Sequence, residues 1–555
     1  MGAEPTHQNR PPVNRHQEAL RAAVHMRQGH YSKALACLQK AVTLEPGSMA
    51  RATALLSALG LVCSKLGDNE KALACYEQCL VMDSSDPVTL NIAGVLNYNA
   101  ENYARAGELL QRAAELAPKS SDPLHNLALV FHAQGKTNEA LEYFEKALEA
   151  DPGHCNALLG ESVILAGQKK SREAADRLGQ ARLIMDGKIS LAAGEFEKAT
   201  TLQRQAVLLH PDNPRTLSNL GENLRTLGRL DESIEVFKKA VKLDPDTPNL
   251  HIRLATTFLT AGDFKNGWRE YEWRIKAGYL HPHRIPPDHK RWDGTRMDKE
   301  NLLVICEQGY GDVIQFSRYL PLAKARSGAN IKLVCKQQLA KLLDNSWKET
   351  FDIAGEVPPD SEFDRYVPLM SLPWLFGTVL ETIPPAPYLK AAEKDIQRWA
   401  PKISALKGRK IGLSWAGNPL HQKDGLRSIS FKLLEPLFKL KDISFVSLQK
   451  TDLSSKSPIS KPANFHDWSA EIDDFADTAA IIACLDLVIS VDTAVAHLSG
   501  ALGQKNRTLL PFIPEWRWMR DTKNSPWYPS MRLLRQKKFR DWTTVIDQLV
   551  DDLLN

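Results

Sequence analysis

Four polar segments in the second half of the chain carry residue types suited to holding phosphate without a metal ion. They are Ser414-Trp415-Ala416-Gly417-Asn418-Pro419, Asp424-Gly425-Leu426-Arg427-Ser428, Ser447-Leu448-Gln449-Lys450 and Ser490-Val491-Asp492-Thr493-Ala494-Val495-Ala496-His497. In the last, a buried-strand run stops at a polar turn and a helix of small residues starts at once. The free backbone N–H groups of that helix start would face a phosphate or pyrophosphate. His497 follows Thr493 by one helical turn, on the same face. Arg427 and Lys450 offer cations to a phosphate, Trp415 and Gln449 offer contacts to a nucleotide's base or ribose, and Asn418 is a further donor-binding candidate. Asp492-Thr493 also fits a plain helix N-cap. A fifth segment, Glu307-Gln308-Gly309-Tyr310-Gly311-Asp312, follows the apolar run Leu302–Cys306. Gly309 and Gly311 make a tight turn that presents Asp312 either as a general base or as the N-cap of a helix over 313–327. His497 is the alternative base.

Several other chemistries are excluded. Gly309-x-Gly311 is no dinucleotide fingerprint, because the third glycine position is Ile314. Neither a P-loop, nor His-Glu-x-x-His, nor Gly-x-Ser-x-Gly occurs. The single Asp-x-Asp, Asp244 and Asp246, lies in the helical first half, so the second half lacks the usual ligands of a metal-held nucleotide sugar. Cys75 and Cys79 share a helix face without a second ligand pair, and His281, His283 and His289 sit in a Pro-rich loop with no carboxylate frame. No metal and no cofactor is expected. The eight cysteines read as small buried residues of a protein in the reducing cytoplasm.

The elements that position these residues alternate between short apolar runs and helical stretches. Runs at Leu302–Cys306, Ile331–Cys335, Tyr366–Leu369, Lys410–Trp415, Phe445–Gln449, Leu487–Val491 and Arg507–Pro511 predict strands, with helices at 313–327, 336–343, 474–484 and 493–502 between them. This alternation predicts parallel sheets covered by helices, with a ligand cleft at the carboxyl ends of the strands. All twelve tryptophans lie at or after Trp268, which separates this half from a differently built first half.

The first half is a repeat. Gly194 to Gly228, Gly228 to Gly262 and Pro118 to Pro152 are each separated by 34 residues, the period of the tetratricopeptide (TPR) helical hairpin. Small residues let paired helices approach, and neighbouring pairs stack into a solenoid with a concave groove. That groove captures a protein or peptide, or joins copies of the chain. The repeat at 153–181 is degenerate, and the short interval from Ala181 to Gly194 predicts a distorted joint. The last copy, Gly262 to Arg274, is aromatic enough to bury its face against the next domain. The expected domains are a disordered tail (1–14), a TPR solenoid (15–278), a Pro-rich linker (279–300), two α/β domains (301–388 and 389–540) and a terminal helix (541–555).

With 555 residues, 43% of them apolar and 25% charged, the chain is globular and multidomain. A net charge of +5 makes nucleic acid an unexpected partner. No apolar stretch is long enough for a membrane span, the polar start is not a secretion signal, and the myristoylation-like pairing of Gly2 with Thr6 is a chance match.

From about Arg291 to Trp542 the chain resembles TPR-fused bacterial glycosyltransferases related to the lipopolysaccharide heptosyltransferase family. The matching words are E-Q-G-Y-G-D-V-I-Q-F-S-R-Y-L-P (307–321), G-L-S-W-A-G-N-P-L-H (412–421), R-S-I (427–429), F-V-S-L-Q-K (445–450), D-F-A-D-T-A (474–479), I-S-V-D-T-A-V-A-H-L-S-G-A-L-G (489–503), P-E-W-R-W (514–518) and S-P-W-Y-P (525–529). The resemblance implies a GT-B fold, two facing Rossmann-like domains, and metal-free use of a nucleotide sugar. It places the catalytic base at Asp312. It also implies a protein hydroxyl as acceptor, with flagellin and a nonulosonic acid as the case known among such enzymes. In architecture alone the chain resembles TPR-bearing protein O-GlcNAc transferases. Two departures stand out: Asp492-Thr493-Ala494 replaces the family's frequent D-T-G, and the first α/β half is short, leaving acceptor surface to the repeats. Two other readings stay open, a TPR scaffold with an inactive transferase-like domain and a transferase acting on a lipid-linked saccharide.

Overall fold

The computed structural model describes residues 30–554 except 44–48, 119, 152, 280–285, 348–349, 419–420, 422 and 451–461, together with residues 18, 21, 22, 25 and 26. The expected tail 1–14 lies outside the described residues. The chain divides into two compact units, Met1–Leu220 and Gly221–Asn555.

Among the described residues, the regular elements of the first unit are all helices. Helix Met49–Lys65 pairs with Asn69–Met82, Pro87–Asn99 with Tyr103–Leu116, and Ser121–Ala133 with Thr137–Ala150. Glycine permits the closest crossings: a Cβ on Gly94 would meet Leu110 Cγ at 2.6 Å, and one on Gly160 would meet the Phe144 ring at 2.3 Å. The turns between paired helices need a left-handed residue. Gly67 and Gly135 supply it with φ of 81° and 76°, and Glu101 and Lys169 adopt it with φ of 59° and 64°.

Those four positions keep the 34-residue period, and the next left-handed turn comes early, at Gly194 (φ 81°). No distorted joint fills the shortened interval. Ser171–Ala193 is one continuous helix that packs against both Cys155–Gly167 and Phe196–Leu209. Its start is tied by Arg177 to Glu161 at 2.9 Å, and its end brings Gly187 against Gln203. The sequence between contains no proline, and Gly179 and Gly187 keep helical conformation within it, so the second helix of one hairpin runs on as the first helix of the next.

The second unit begins with the end of helix Pro214–Leu227, followed by Leu230–Leu243, Pro248–Ala261 and Phe264–Tyr271. Two parallel sheets follow. The first holds β1 (Asn301–Ile305), β2 (Asn330–Val334), β3 (Phe351–Ala354) and β4 (Arg365–Pro368) in the order β3-β2-β1-β4. The second holds β5 (Arg409–Ser414), β6 (Ile443–Ser447), β7 (Phe465–His466), β8 (Leu487–Val491), β9 (Asn506–Leu510) and β10 (Met531–Arg535) in the order β10-β9-β8-β5-β6-β7. The strands named pair in parallel throughout, and β8, in the middle of its sheet, is buried along its whole length, as a helix-covered sheet requires. The strand order reverses between β1 and β4 and between β5 and β8. These reversals are the switch points at which open α/β sheets place a ligand crevice, at the carboxyl ends of the strands.

Helix Phe264–Tyr271 is built into this unit's core. Trp268 meets Phe316, Trp516 and Trp527 edge-on, and Phe264 stacks on Trp527. Beyond it, Arg274 is wholly buried and donates to Glu307 Oε1 at 2.7 Å, Glu272 Oε1 at 2.6 Å and Ser371 Oγ at 2.8 Å. Residues 286–300 pack against β4: Trp292 is buried and its N–H donates to the Tyr366 carbonyl at 2.8 Å. The expected helix over 313–327 starts earlier and divides, as Tyr310–Phe316, a 3-10 turn Ser317–Tyr319, and Leu320–Ser327. Pro321 accounts for the division, since it has no N–H to continue the helix. Among the described residues no helix is long and apolar enough to cross a membrane.

Candidate functional site

The loop leaving β1 is held from two sides. Gln308 takes a left-handed conformation (φ 68°); its side chain donates to Tyr271 Oη at 3.2 Å and its carbonyl accepts from Lys336 Nζ at 2.7 Å. A non-glycine residue held there stores strain beside a strand end, a common feature of binding loops. Helix Tyr310–Phe316 then starts with Gly309 as its N-cap residue. Asp312 is therefore not the N-cap. It sits in the first turn, and its Oδ2 accepts from the Gly309 N–H at 2.9 Å, so it still satisfies a helix-start donor. Its Oδ1 accepts from Arg517 Nη2.

The loop leaving β8 brings Asp492, Thr493 and His497 to the same place. Thr493 is the N-cap residue of helix Ala494–Ala501, and its hydroxyl pairs with Ser490 Oγ at 3.0 Å. Asp492 is buried, and burial pushes its carboxyl up to about 6; the Glu515 charge adds to this while Arg427 and Arg517 oppose it. His497 is buried, stacked on Trp518, with Nδ1 at 3.0 Å from Tyr528 Oη. Burial, with the charges of Arg517, Arg318 and Arg427, holds its pKa well below the usual range, so the ring is neutral at pH 7. A neutral imidazole whose Nδ1 accepts from Tyr528 would carry its proton on Nε2, as a donor suited to phosphate oxygen. Gly309 and Gly311 have separate reasons to lack a side chain: a Cβ on Gly309 would lie 3.0 Å from Asp312 Oδ2, and one on Gly311 would lie 2.8 Å from His497 Cδ2.

The β5 and β6 ends divide differently from expectation. Trp415 does not offer its ring to a ligand; it is buried in the second sheet's core against Phe431 and Phe465. The alternation of side chains at the end of β5 turns it inward. Gln449 is also buried, and its Oε1 accepts from Ala416 N–H at 3.0 Å, bracing the β5 loop. Gly417 N–H donates to Ser428 Oγ at 2.9 Å, which ties that loop to the Arg427 segment. Arg427 is paired with Asp424 at 3.3 Å and lies near enough to Asp492 and His497 to affect both. Asn418 is exposed on the same loop. Lys450 is exposed and donates to the Asp473 carbonyl at 2.8 Å.

Arg517, Glu515, Trp518 and Tyr528 are site residues that sequence reasoning did not assign. Arg517 is buried and engages three partners: Gln315 Oε1 at 2.7 Å, Glu515 Oε2 at 2.7 Å and Asp312 Oδ1. Burial works against its charge, but Asp312 and Glu515 outweigh that and hold it above the ordinary arginine range. Its sequence signals were its place in the P-E-W-R-W word (514–518) and its position after the carboxyl end of β9. Among the described residues no three His, Cys, Asp or Glu side chains come together to hold a metal ion.

Comparisons with known proteins identify the helical part. Tetratricopeptide-repeat models match residues 19–48, 55–88, 86–153, 125–188 and 221–262, so the chain contains TPR repeats. Protein FlbA of Caulobacter vibrioides is 23% identical over 522 residues, covering 89% of this chain and 83% of FlbA. The human protein O-mannosyl-transferase TMTC1 is 28% identical over 194 residues, which is 34% of this chain and 19% of that one. Among solved structures, MamA is 22% identical, with a TM-score of 0.27 over 30% of this chain and 95% of MamA.

Proposed function

We propose that the chain is an inverting, metal-independent glycosyltransferase whose two sheets form a GT-B pair, and that it moves a sugar from a nucleotide donor to Ser or Thr hydroxyls of a protein captured by the repeats. One observation carries the reading. The β1 end and the β8 end meet, so that Asp312 lies beside the helix start carrying Asp492, Thr493 and His497. A nucleotide phosphate at that start would be met by backbone N–H groups, by His497 and by Arg427, which offset the charge of the leaving group without a metal. Asp312 would take the proton of the acceptor hydroxyl as it attacks the anomeric carbon. Asn418, Thr493 and Asp492 complete the donor seat; Gln449 supports it from behind. The similarity to FlbA spans repeats and α/β part together, which supports the two as one working unit. Flagellin with a nonulosonic acid, in the cytoplasm, is the particular acceptor and sugar the resemblance favours.

The test is intact mass of candidate acceptor proteins from cells with and without the gene, together with calorimetry of the purified protein against CMP, UDP, GDP and ADP in chelator. A sugar-sized mass difference and binding of one nucleotide are expected. The scaffold reading has one observation in its favour, that both oxygens of Asp312 are already engaged. It predicts no mass difference in any acceptor.

A further inference from the structure

We propose that Arg517 is a positioning residue for the transfer reaction, fixing Asp312 across the cleft in register with the donor seat at Ala494–Ala501. The inference rests on the reading of Asp312 as the base and adds to it a residue that acts through Asp312.

The grip has two points on one helix. Arg517 Nη2 donates to Asp312, and Nε donates at 2.7 Å to Gln315 Oε1 one turn further along Tyr310–Phe316. Residues three apart share a helix face, so a planar guanidinium holding both fixes the helix's rotation as well as the carboxylate. Gln315 is wholly buried and, among the described residues, its Nε2 has no hydrogen-bond partner, so its carbonyl contact to Arg517 is the polar contact described for its side chain. The third arm, Nη1, is held by Glu515 at 2.7 Å, and the guanidinium lies 4.4 Å from the Trp516 ring centre.

The anchor stands outside the cleft. Trp516 packs edge-on against Trp268 and Tyr271, and Arg520 donates to the carbonyl of Thr226 at 2.8 Å. The segment that aims Arg517 is thus fixed to helices 214–227 and 264–271, and its position does not depend on a bound nucleotide. All three arms are committed to protein groups, which fits a device that places Asp312 better than one that takes a phosphate. Lysine cannot reproduce the grip, because an ammonium is a point charge without a fork.

The experiment uses the full-length protein. Nucleotide affinity is measured with CMP, UDP, GDP and ADP, and transfer is measured as the rate of acceptor mass gain when purified enzyme is added to lysate of cells lacking the gene. Arg517→Ala should leave the nucleotide Kd within about threefold and slow transfer by about 10²-fold, the cost of a misplacement of about 1 Å. Arg517→Lys should recover only part of that loss, and added guanidinium should speed Arg517→Ala but not Asp312→Asn. Gln315→Leu, which keeps the ion pair and removes the second grip point, should slow transfer by about tenfold. If Arg517→Ala does not fold, the lysine and Gln315 variants carry the test. A Kd weakened in step with the rate would make Arg517 a donor ligand, and full transfer by Gln315→Leu and Arg517→Lys would remove the positioning role. A wild-type protein that binds no nucleotide and modifies nothing would instead sink the transferase reading itself.

Discussion

Gly311 and His497 lie so close that a single methyl group on the glycine would come within 2.8 Å of the imidazole. This contact is where the helix after β1 meets the helix after β8. Gly311→Ala should therefore act on the cleft more than on the backbone, because residue 311 is helical with negative φ and alanine suits a helix. Overpacking of this kind costs about 1–3 kcal/mol, so a modest fall in Tm is expected. Transfer should fall further, by about 10²-fold, as the two helices are pushed apart. Normal transfer by the alanine variant would show that the two helix starts need not meet.

The carboxylate and the imidazole should separate by what they affect. Asp312→Asn can still accept from Gly309 but takes no proton, so transfer should fall by about 10²–10⁴-fold with nucleotide binding retained. It also leaves Arg517 with Glu515 as its ion-pair partner and the Asp492 charge acting on it without a direct bond, so a loss of about 1–3 kcal/mol in stability should accompany it. His497→Ala should weaken nucleotide binding along with rate, having lost a donor to the leaving phosphate. Calorimetry and acceptor mass on both variants decide the assignment; loss of rate without loss of binding in His497→Ala would move the base to His497.

The repeats and the strand ends were legible because each has local spacing. The 34-residue beat places Gly194, Gly228 and Gly262 at left-handed turns. The apolar runs at 302–306, 487–491 and 507–511 fall within a residue of β1, β8 and β9. What was missed had no local mark. β3 (F-D-I-A) and β10 (M-R-L-L-R) break their apolar runs with charge, and β7 is two residues long. Trp415 sits at a strand end like a ligand contact, but only the sheet's pleat shows that its ring points into the core. Arg517 is 205 residues from the carboxylate it holds, a pairing that no periodicity announces.

Asp492 should make stability depend on pH in a stated direction. Its carboxyl is pushed from 3.8 to about 6 in the folded protein, mainly by burial. The folded state therefore holds the proton more tightly than the unfolded chain. The favourable term is complete below about pH 4 and is lost as pH rises through about 6, a swing of about 3 kcal/mol at most. Asp492→Asn removes the titration. It should melt higher than wild type at pH 7–8, with the difference closing toward pH 4. A difference that does not change with pH would place the Asp492 carboxyl in a solvated setting.

Helices 230–243, 248–261 and 264–271 continue the repeat pattern, but they belong to the second compact unit. Phe264, Trp268 and Tyr271 are in the core that also contains Phe316, Trp516 and Trp527. Arg274 is the counter-charge of Glu307, which is buried and whose Oε1 also accepts the Met370 N–H at 3.2 Å. A fragment starting at residue 276 loses all four side chains and leaves Glu307 buried without its partner, a defect of about 3–5 kcal/mol before the lost aromatic packing is counted. It should be insoluble or fail to show a cooperative melt. A fragment starting at residue 212 keeps helix 214–227 whole, with the carbonyls that hold Arg520, and should fold and bind the same nucleotide as the full chain. Deprived of most repeats, it should not modify the acceptor protein. Circular dichroism melts, calorimetry and acceptor mass on the two fragments read these outcomes. Nucleotide binding by the 276 fragment would show that the aromatic helix is dispensable, and acceptor modification by the 212 fragment would show that residues 1–211 do not select the acceptor.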